Sequence, residues 1–276
     1  QVILDISRLI SRVRYSTPSG VDRVEMAYAR GLLAHYRDDL VFAAVHPTGL
    51  YGRLSRASAL AYLDELEHRW SREDGNPRQR SLISVMPWLA ALLPARPAQA
   101  TTASIYVQAS PHHLIREAKV RRILAREQAR FLCLVHDLIP IEYPEYARPA
   151  GDRQHRQRMA TVAALADAVI VNSAATGESF KPWIAQSGRS IDLHVALLGT
   201  EPMAAAPPPS DDDPRPYFVC IGTIEPRKNH LLLLNLWRHL AETMPADRVP
   251  RLVVIGKRGW ENEQVIDMLE RCPALK

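Results

Sequence analysis

Residues 217–230 read Tyr-Phe-Val-Cys-Ile-Gly-Thr-Ile-Glu-Pro-Arg-Lys-Asn-His, a stretch that predicts one strand–turn–helix unit of an α/β fold. The apolar run 217–221 has the length of a buried strand, Gly222 ends it, and the leucine-rich stretch that follows has helical spacing. Arg227 and Lys228 stand just before that helix, where free backbone N–H groups and the positive helix end favour an anion. Two interpretations follow: a phosphate or diphosphate site, or an ordinary strand–helix junction whose cations are solvated.

Strand-like and helix-like segments alternate along the rest of the chain, which predicts parallel sheets with helices on both faces. Six prolines and three aspartates lie within residues 202–216, and such a segment is typical of a linker. We therefore predict a Rossmann-like N-terminal domain at 1–201, a proline-rich linker at 202–216 and a partial C-terminal domain at 217–276. Because two parallel strands would leave an apolar sheet edge open, we expect the natural protein to continue past Lys276.

The composition indicates a cytoplasmic globular protein. Of the 276 residues, 47% are hydrophobic, which is ordinary for a chain that buries a core. No apolar run reaches the ~20 residues that span a bilayer, and no secretory signal is visible. The three cysteines are far apart and lack metal-ligand spacing, which fits a reducing compartment.

The net charge of +5 comes from the first 210 residues, largely from two basic clusters. They contain Arg116, Lys119, Arg121, Arg122, Arg126 and Arg130, followed by Arg148, Arg153, Arg156 and Arg158. Such clusters either bind an anionic membrane surface or are solvated helix faces. Nucleic acid is not an expected partner, because no recognition motif or interleaved aromatic pattern is present.

Several motifs together resemble glycosyltransferase family 4, whose members are retaining enzymes with two facing Rossmann-like domains, the GT-B fold. The most specific are residues 222–230 (GTIEPRKNH) and 135–144 (VHDLIPIEYP). Residues 17–23, 171–173, 198–200 and 254–260 support them. The resemblance covers nearly the whole chain. Within the family, the branch that carries residues 222–229 (GTIEPRKN) is similar to bacterial mannosyltransferases of polysaccharide and O-antigen assembly. It implies an acceptor-side N-terminal domain and a C-terminal domain that binds a nucleotide sugar.

The resemblance assigns the donor diphosphate to the turn after residue 221. Lys228 matches the family lysine that contacts the diphosphate, and Gly222 and Thr223 form the start of the turn. Many members carry Arg directly after the glycine, where this chain has Thr223. We expect Arg227 to help Lys228 hold the phosphates, with a structural ion pair to Glu225 as the alternative.

The resemblance also assigns roles in the site to residues of the N-terminal domain. His136 is implied to contact the transferred sugar as the catalytic-site histidine, although a lone histidine in this position is otherwise commonly structural. Gly20 matches the family's N-terminal glycine loop beside the donor phosphates, or simply precedes a helix. Arg23 is a candidate to face the cleft, on the side of the acceptor and sugar. Asn172 and Ser173 either touch acceptor or donor, or only cap the helix that follows.

The function implied is transfer of a hexose, with mannose from GDP-mannose as the expected donor, onto a glycan or lipid-linked acceptor. Retention of anomeric configuration is implied, and neither a metal nor a cofactor is expected. The enzyme would act in surface polysaccharide synthesis, in the cytoplasm or peripherally on the inner face of the cell membrane.

Two other interpretations remain at the level of sequence. A nucleotide-sugar or NAD-dependent oxidoreductase would need a G-x-G-x-x-G turn, and the chain has none. A non-catalytic transferase-like partner module stays open, because no E-x7-E segment of the family follows Trp260. The chain by itself is therefore expected to be a poor catalyst.

Overall fold

The computed structural model describes residues 1–71, 80–95, 103–200 and 215–276. The chain divides into two compact units, residues 1–200 and 201–276. Residues 202–214 of the predicted linker lie outside the described residues, so the linker stays a prediction.

The described part of the first unit is built on a seven-stranded sheet in the order β3-β2-β1-β4-β5-β6-β7. The strands are β1 (Val2–Asp5), β2 (Leu40–Val45), β3 (Tyr51–Arg53), β4 (Ser104–Gln108), β5 (Ala129–Val135), β6 (Ala168–Val171) and β7 (Asp192–Val195). Every neighbouring pair is parallel except β2 and β3. The predicted α/β class with a Rossmann-like, mostly parallel sheet is confirmed.

Helices cover both faces of this sheet. They are α1 (Ser7–Ser11), α2 (Gly20–His35), α3 (Arg56–Ser71), α4 (Leu82–Ala91), α5 (Glu117–Glu127), α6 (Ile139–Glu142), α7 (Gly151–Leu165) and α8 (Ala174–Ser187). One apolar core contains Phe131 and Phe180 and lies under α5, α7 and α8. The other contains Phe42 and Tyr62 and lies under α1 to α4. Burial on both faces explains why the strands are apolar runs rather than alternating patterns.

The direction of winding reverses between β1 and β4. The chain moves from β1 outward to β2 and β3, and then returns to place β4 on the opposite side of β1. In open α/β sheets, ligands bind beyond the carboxyl ends of the strands at such a reversal. We therefore expect ligand-binding residues among those that follow β1, β4 and β5.

The sequence of residues 112–126 predicts a helix over that whole range, but the observed helix begins later. The backbone of His113 is left-handed (φ 62°), which an α-helix does not accommodate, so α5 starts only at Glu117. The sequence analysis also missed β3, whose three residues are too few to give a periodic signal.

The described part of the second unit contains a two-stranded parallel sheet of β8 (Tyr217–Ile221) and β9 (Arg251–Ile255). Helix α9 (His230–Thr243) connects the strands, and α10 (Glu263–Arg271) follows β9. A small core of Ile224, Leu234 and Val265 holds these elements together. The strand–turn–helix unit predicted from residues 217–230 is therefore present, with β8 and α9 at the expected positions.

Candidate functional site

The side chain of Lys228 lies across the glycine that ends β8. Gly222 has φ 154°, and a Cβ atom added to it would lie 3.6 Å from Cε of Lys228. Lys228 belongs to one turn of 3-10 helix, Pro226–Lys228, that precedes α9. It is exposed and forms no ion pair with any described residue. Its ammonium group is therefore available to an anion at the carboxyl end of β8.

Arg227 is engaged differently from its neighbour. Its Nη2 lies 2.6 Å and its Nε 3.1 Å from Oε1 of Glu225. This ion pair is the alternative that the sequence left open, and it uses two of the guanidinium's donors. The structure therefore distinguishes the two cations: Lys228 is unpaired among the described residues, whereas Arg227 is paired.

The turn after β8 is built by close contact with the turn after β9. Gly222 N donates to the Ile255 carbonyl at 2.9 Å, and Ile224 N donates to the Lys257 carbonyl at 2.9 Å. A Cβ on Gly256 would lie 1.8 Å from the Gly222 carbonyl oxygen, so only glycine fits there. The glycines of residues 254–260 thus shape the turn that contains Lys228. Thr223 packs its methyl group beside Gly259.

His136 lies at the carboxyl end of β5, in the first unit. Its Nε2 is 2.8 Å from the Ala109 carbonyl, so Nε2 carries the proton and donates this hydrogen bond. Burial lowers the pKa of His136, and the positive charge of Arg8 lowers it further, against the effects of the Ala109 bond and Asp137. The ring is therefore neutral near neutral pH, with Nδ1 as the acceptor.

Asn172 and Ser173 follow β6 and support the loop of His136. Ser173 caps α8, because its Oγ accepts from Thr176 N at 3.1 Å. Asn172 Oδ1 accepts from the Thr176 hydroxyl at 3.2 Å, and that hydroxyl also lies 3.4 Å from the His136 carbonyl. Ser173 therefore caps α8, as one alternative from the sequence proposed, and Asn172 bonds to a side chain of the first turn of that helix.

Gly20 is the first residue of α2 and is held by a capping box. The Asp22 carboxylate accepts from Ser19 N at 2.7 Å, and Asp22 N donates to Ser19 Oγ at 3.4 Å. Apart from its chain neighbours and the backbone of its own helix, no described atom lies within 4 Å of where a Cβ on Gly20 would be. This side of the loop is therefore open to a ligand. Arg23, on the next turn, is exposed.

The sequence analysis assigned none of three further charged residues of the first unit to the site, although it placed Arg158 in the second basic cluster. Arg8 lies just after β1, and its Nε is 2.6 Å from Oδ1 of Asp22, with which it forms an ion pair. Glu25 is fully buried, and its Oε2 has no hydrogen-bond partner among the described residues. Arg158 on α7 likewise has a buried, unpartnered Nε within the described chain. The signals that the sequence offered were the position of Arg8 after β1 and the basic cluster that contains Arg158.

The described residues contain no group of three or more His, Cys, Asp or Glu side chains arranged to hold a metal ion. None of the helices in the described ranges has the length and apolar character that a membrane crossing requires.

Comparison with known proteins finds similarity to serotype-specific mannosyltransferase WbdA of Escherichia coli. One such sequence is 27% identical over 180 residues, covering 59% of this chain and 22% of the relative. Two others are 28% identical over 193 residues, with 59% of this chain covered. The chain spans about a fifth of the length of these relatives. No protein-family model matches the chain, and no solved structure matches it significantly.

Proposed function

We propose that the chain is part of a retaining glycosyltransferase of family 4, with a GT-B fold, that transfers mannose from GDP-mannose. The acceptor is a glycan or a lipid-linked glycan in surface polysaccharide synthesis. The observation that carries the proposal is the Lys228 ammonium, unpaired among the described residues and lying across Gly222 at the end of β8. The similarity to the E. coli mannosyltransferase supports both the reaction and the sugar.

Lys228 acts on the leaving group in this proposal. The bond between the anomeric carbon and the diphosphate oxygen breaks, and the acceptor hydroxyl oxygen forms the new bond to that carbon on the same face. The hydroxyl proton passes to a diphosphate oxygen. Negative charge grows on the leaving diphosphate, and a fixed cation favours that state. Since Lys228 supplies the positive charge, the reaction requires neither a metal nor another cofactor.

His136 orients the transferred sugar. Its lowered pKa keeps the ring uncharged, and its Nε2 proton is committed to the Ala109 carbonyl. Nδ1 therefore accepts a hydrogen bond from a sugar hydroxyl without the cost of desolvating a charge. Gly20 gives a phosphate close access to backbone N–H groups at the start of α2, since no described side chain fills that space.

The protein acts on the cytoplasmic face of the membrane, to which it binds peripherally. Much of the basic excess lies on or near α5 and α7, where Arg116, Arg122, Arg148 and Arg153 are exposed. Exposed basic residues of this kind are attracted to anionic lipid headgroups, by about 1 kcal/mol each near the surface.

The test of the proposal is transfer by the full-length protein from sugar-labelled GDP-mannose to a panel of lipid-linked and oligosaccharide acceptors. UDP-glucose and ADP-glucose serve as comparison donors. We expect label in an α-mannosylated product, with GDP released in equal amount. If GDP-mannose binds but no donor yields product with any acceptor, the alternative of a non-catalytic partner module replaces the proposal.

A further inference from the structure

Helix α4 presents an apolar face to solvent. Leu82 is 60% exposed, Ile83 83% and Met86 61%, and Leu93, just past the end of the helix, is 53% exposed. Their spacing along the chain places these four side chains on one side of the helix. They are called the α4 face below.

The opposite side of α4 accounts for its packing on the first unit. Val85 and Leu92 are fully buried in the core under α1 to α4, and the Trp88 ring packs against Tyr62 with centroids 5.6 Å apart. Ser84 is the one polar residue of the helix. The core therefore does not explain why the exposed side is apolar as well. An apolar patch left in water is typical of a surface that contacts a membrane or another protein.

Two arginines lie at the amino end of α4. Arg80 precedes the helix by two residues; its N–H donates to the Arg14 carbonyl at 2.9 Å, and Arg14 Nε donates to the Arg80 carbonyl at 2.9 Å. Arg80 pairs with Oε1 of Glu65 at 3.1 Å, whereas Arg14 forms no ion pair with any described residue. The α4 face therefore begins beside positive charge.

The loop after β2 joins α4 to the basic helix α5. His46 Nε2 lies 3.0 Å from the Leu89 carbonyl of α4, and Lys119 Nζ of α5 donates to the Gly49 carbonyl at 3.4 Å. Leu50, in the same loop, is half exposed. The arginines of the first basic cluster, on α5 or close to it in the chain, are exposed. An apolar helix and a cationic helix thus contact one loop at the carboxyl end of β2.

We propose that the α4 face inserts into an anionic lipid surface. Such a surface has negative headgroups above an apolar acyl layer, and a helix binds it with apolar side chains in the layer and cations among the headgroups. The α4 face supplies the apolar side chains, and the cations at its amino end and on α5 supply the charge. The proposal rests on the peripheral membrane binding of the proposed function and adds the segment that enters the lipid.

A second copy of the chain is a less suitable occupant. A symmetric contact would place the α4 face of one copy against the α4 face of the other. The cations beside the face, Arg14 and Lys119 among them, would then approach their own counterparts, and like charges at an interface repel. Anionic headgroups instead neutralise these cations.

The first test measures sedimentation of the full-length protein with vesicles of equal parts phosphatidylcholine and phosphatidylglycerol. The double variant Ile83→Gln with Met86→Gln removes apolar surface and keeps good helix formers. We expect it to weaken vesicle binding by about tenfold or more. The thermal midpoint should not change, because both side chains are exposed.

Tyr36→Gln is the matched control. Tyr36 is a half-exposed residue just before β2, at the opposite edge of the sheet from the loop that contacts α4. This change should leave vesicle binding within about twofold of wild type. Binding that the double variant leaves unchanged would overturn the proposal.

The second test detects insertion with Ile83→Trp. Lipids with brominated acyl chains quench a tryptophan that reaches them, so this protein should lose more fluorescence on brominated vesicles than wild type does. Tyr36→Trp should behave as wild type. A tryptophan at 83 that is quenched no more than one at 36 would overturn the proposal. So would a lipid-free dimer that the double variant dissociates while vesicle binding stays the same, since the occupant would then be a second copy.

Vesicle binding and sugar transfer can fail independently. Neither vesicle test involves a donor, and the double variant should transfer mannose to a water-soluble oligosaccharide acceptor within about twofold of wild type. Absence of transfer with α4-dependent vesicle binding intact would refute the proposed function alone. Transfer with vesicle binding that does not depend on α4 would refute the lipid insertion alone.

Discussion

Replacing Glu25 with glutamine should remove a specific pH dependence from the protein's stability. Glu25 is fully buried on α2, and its pKa is raised from 4.5 to about 8. Burial is the main cause; the Asp5 carboxylate also raises the pKa, whereas the nearby Ser110 hydroxyl lowers it. Near neutral pH the folded protein therefore holds a proton on Glu25 that the unfolded chain releases.

The sign and size of the effect follow from this difference. A raised pKa in the folded state contributes stability that is fully present below pH 4.5 and is lost as the pH rises toward about 8. Each pH unit between these values removes up to about 1.4 kcal/mol from the free energy of unfolding. From pH 5 to pH 7.5 the loss attributable to Glu25 is about 3 kcal/mol.

Glutamine is a close mimic of the protonated side chain. Oε1 of Glu25 accepts from Leu9 N at 3.4 Å, and the amide oxygen introduced by Glu25→Gln can accept the same bond without titrating. Urea unfolding of both proteins at several pH values gives the comparison. The wild-type free energy of unfolding should fall relative to that of Glu25→Gln by about 3 kcal/mol between pH 5 and pH 7.5. A difference that stays constant over this range would refute the raised pKa.

Three further predictions concern other parts of the molecule. Gly256→Ala should destabilise the second unit by about 2 kcal/mol or more in thermal unfolding, because its Cβ would collide with the Gly222 carbonyl; an unchanged midpoint would contradict this. Gly20→Ala should leave stability within about 0.5 kcal/mol but reduce transfer about tenfold or more, and full activity would remove Gly20 from the site. Arg116→Glu with Arg122→Glu should weaken binding to anionic, but not neutral, phosphatidylcholine-based vesicles by about tenfold or more; equal sedimentation would contradict peripheral membrane binding.

The strand–turn–helix unit could be predicted from sequence because its signals are local. An apolar run ends at Gly222, and leucines at helical spacing begin directly after it, so β8 and α9 lie where expected. The same stretch placed Lys228 just before α9, and the structure adds its contact with that glycine. The pairing of Arg227 did not, because the choice between Glu225 and a ligand depends on a side-chain rotamer rather than on spacing.

The remaining features depend on contacts between distant parts of the chain. Glu25 reads as a charged residue on a helix, and only packing against α1 and the loop after β4 buries it. The requirement for glycine at 256 arises from the opposing turn after β8, which no local pattern reveals.

The central claim is that Lys228 binds the leaving diphosphate. The most direct test measures the turnover of GDP-mannose by the full-length Lys228→Ala variant. The Arg227→Ala variant, which changes the neighbouring cation, is the matched control. We expect turnover to fall by about a hundredfold or more for Lys228→Ala while the thermal midpoint stays unchanged. Arg227→Ala should lose far less, since its guanidinium is already paired with Glu225. Lys228→Ala turnover within a few-fold of wild type would contradict the claim.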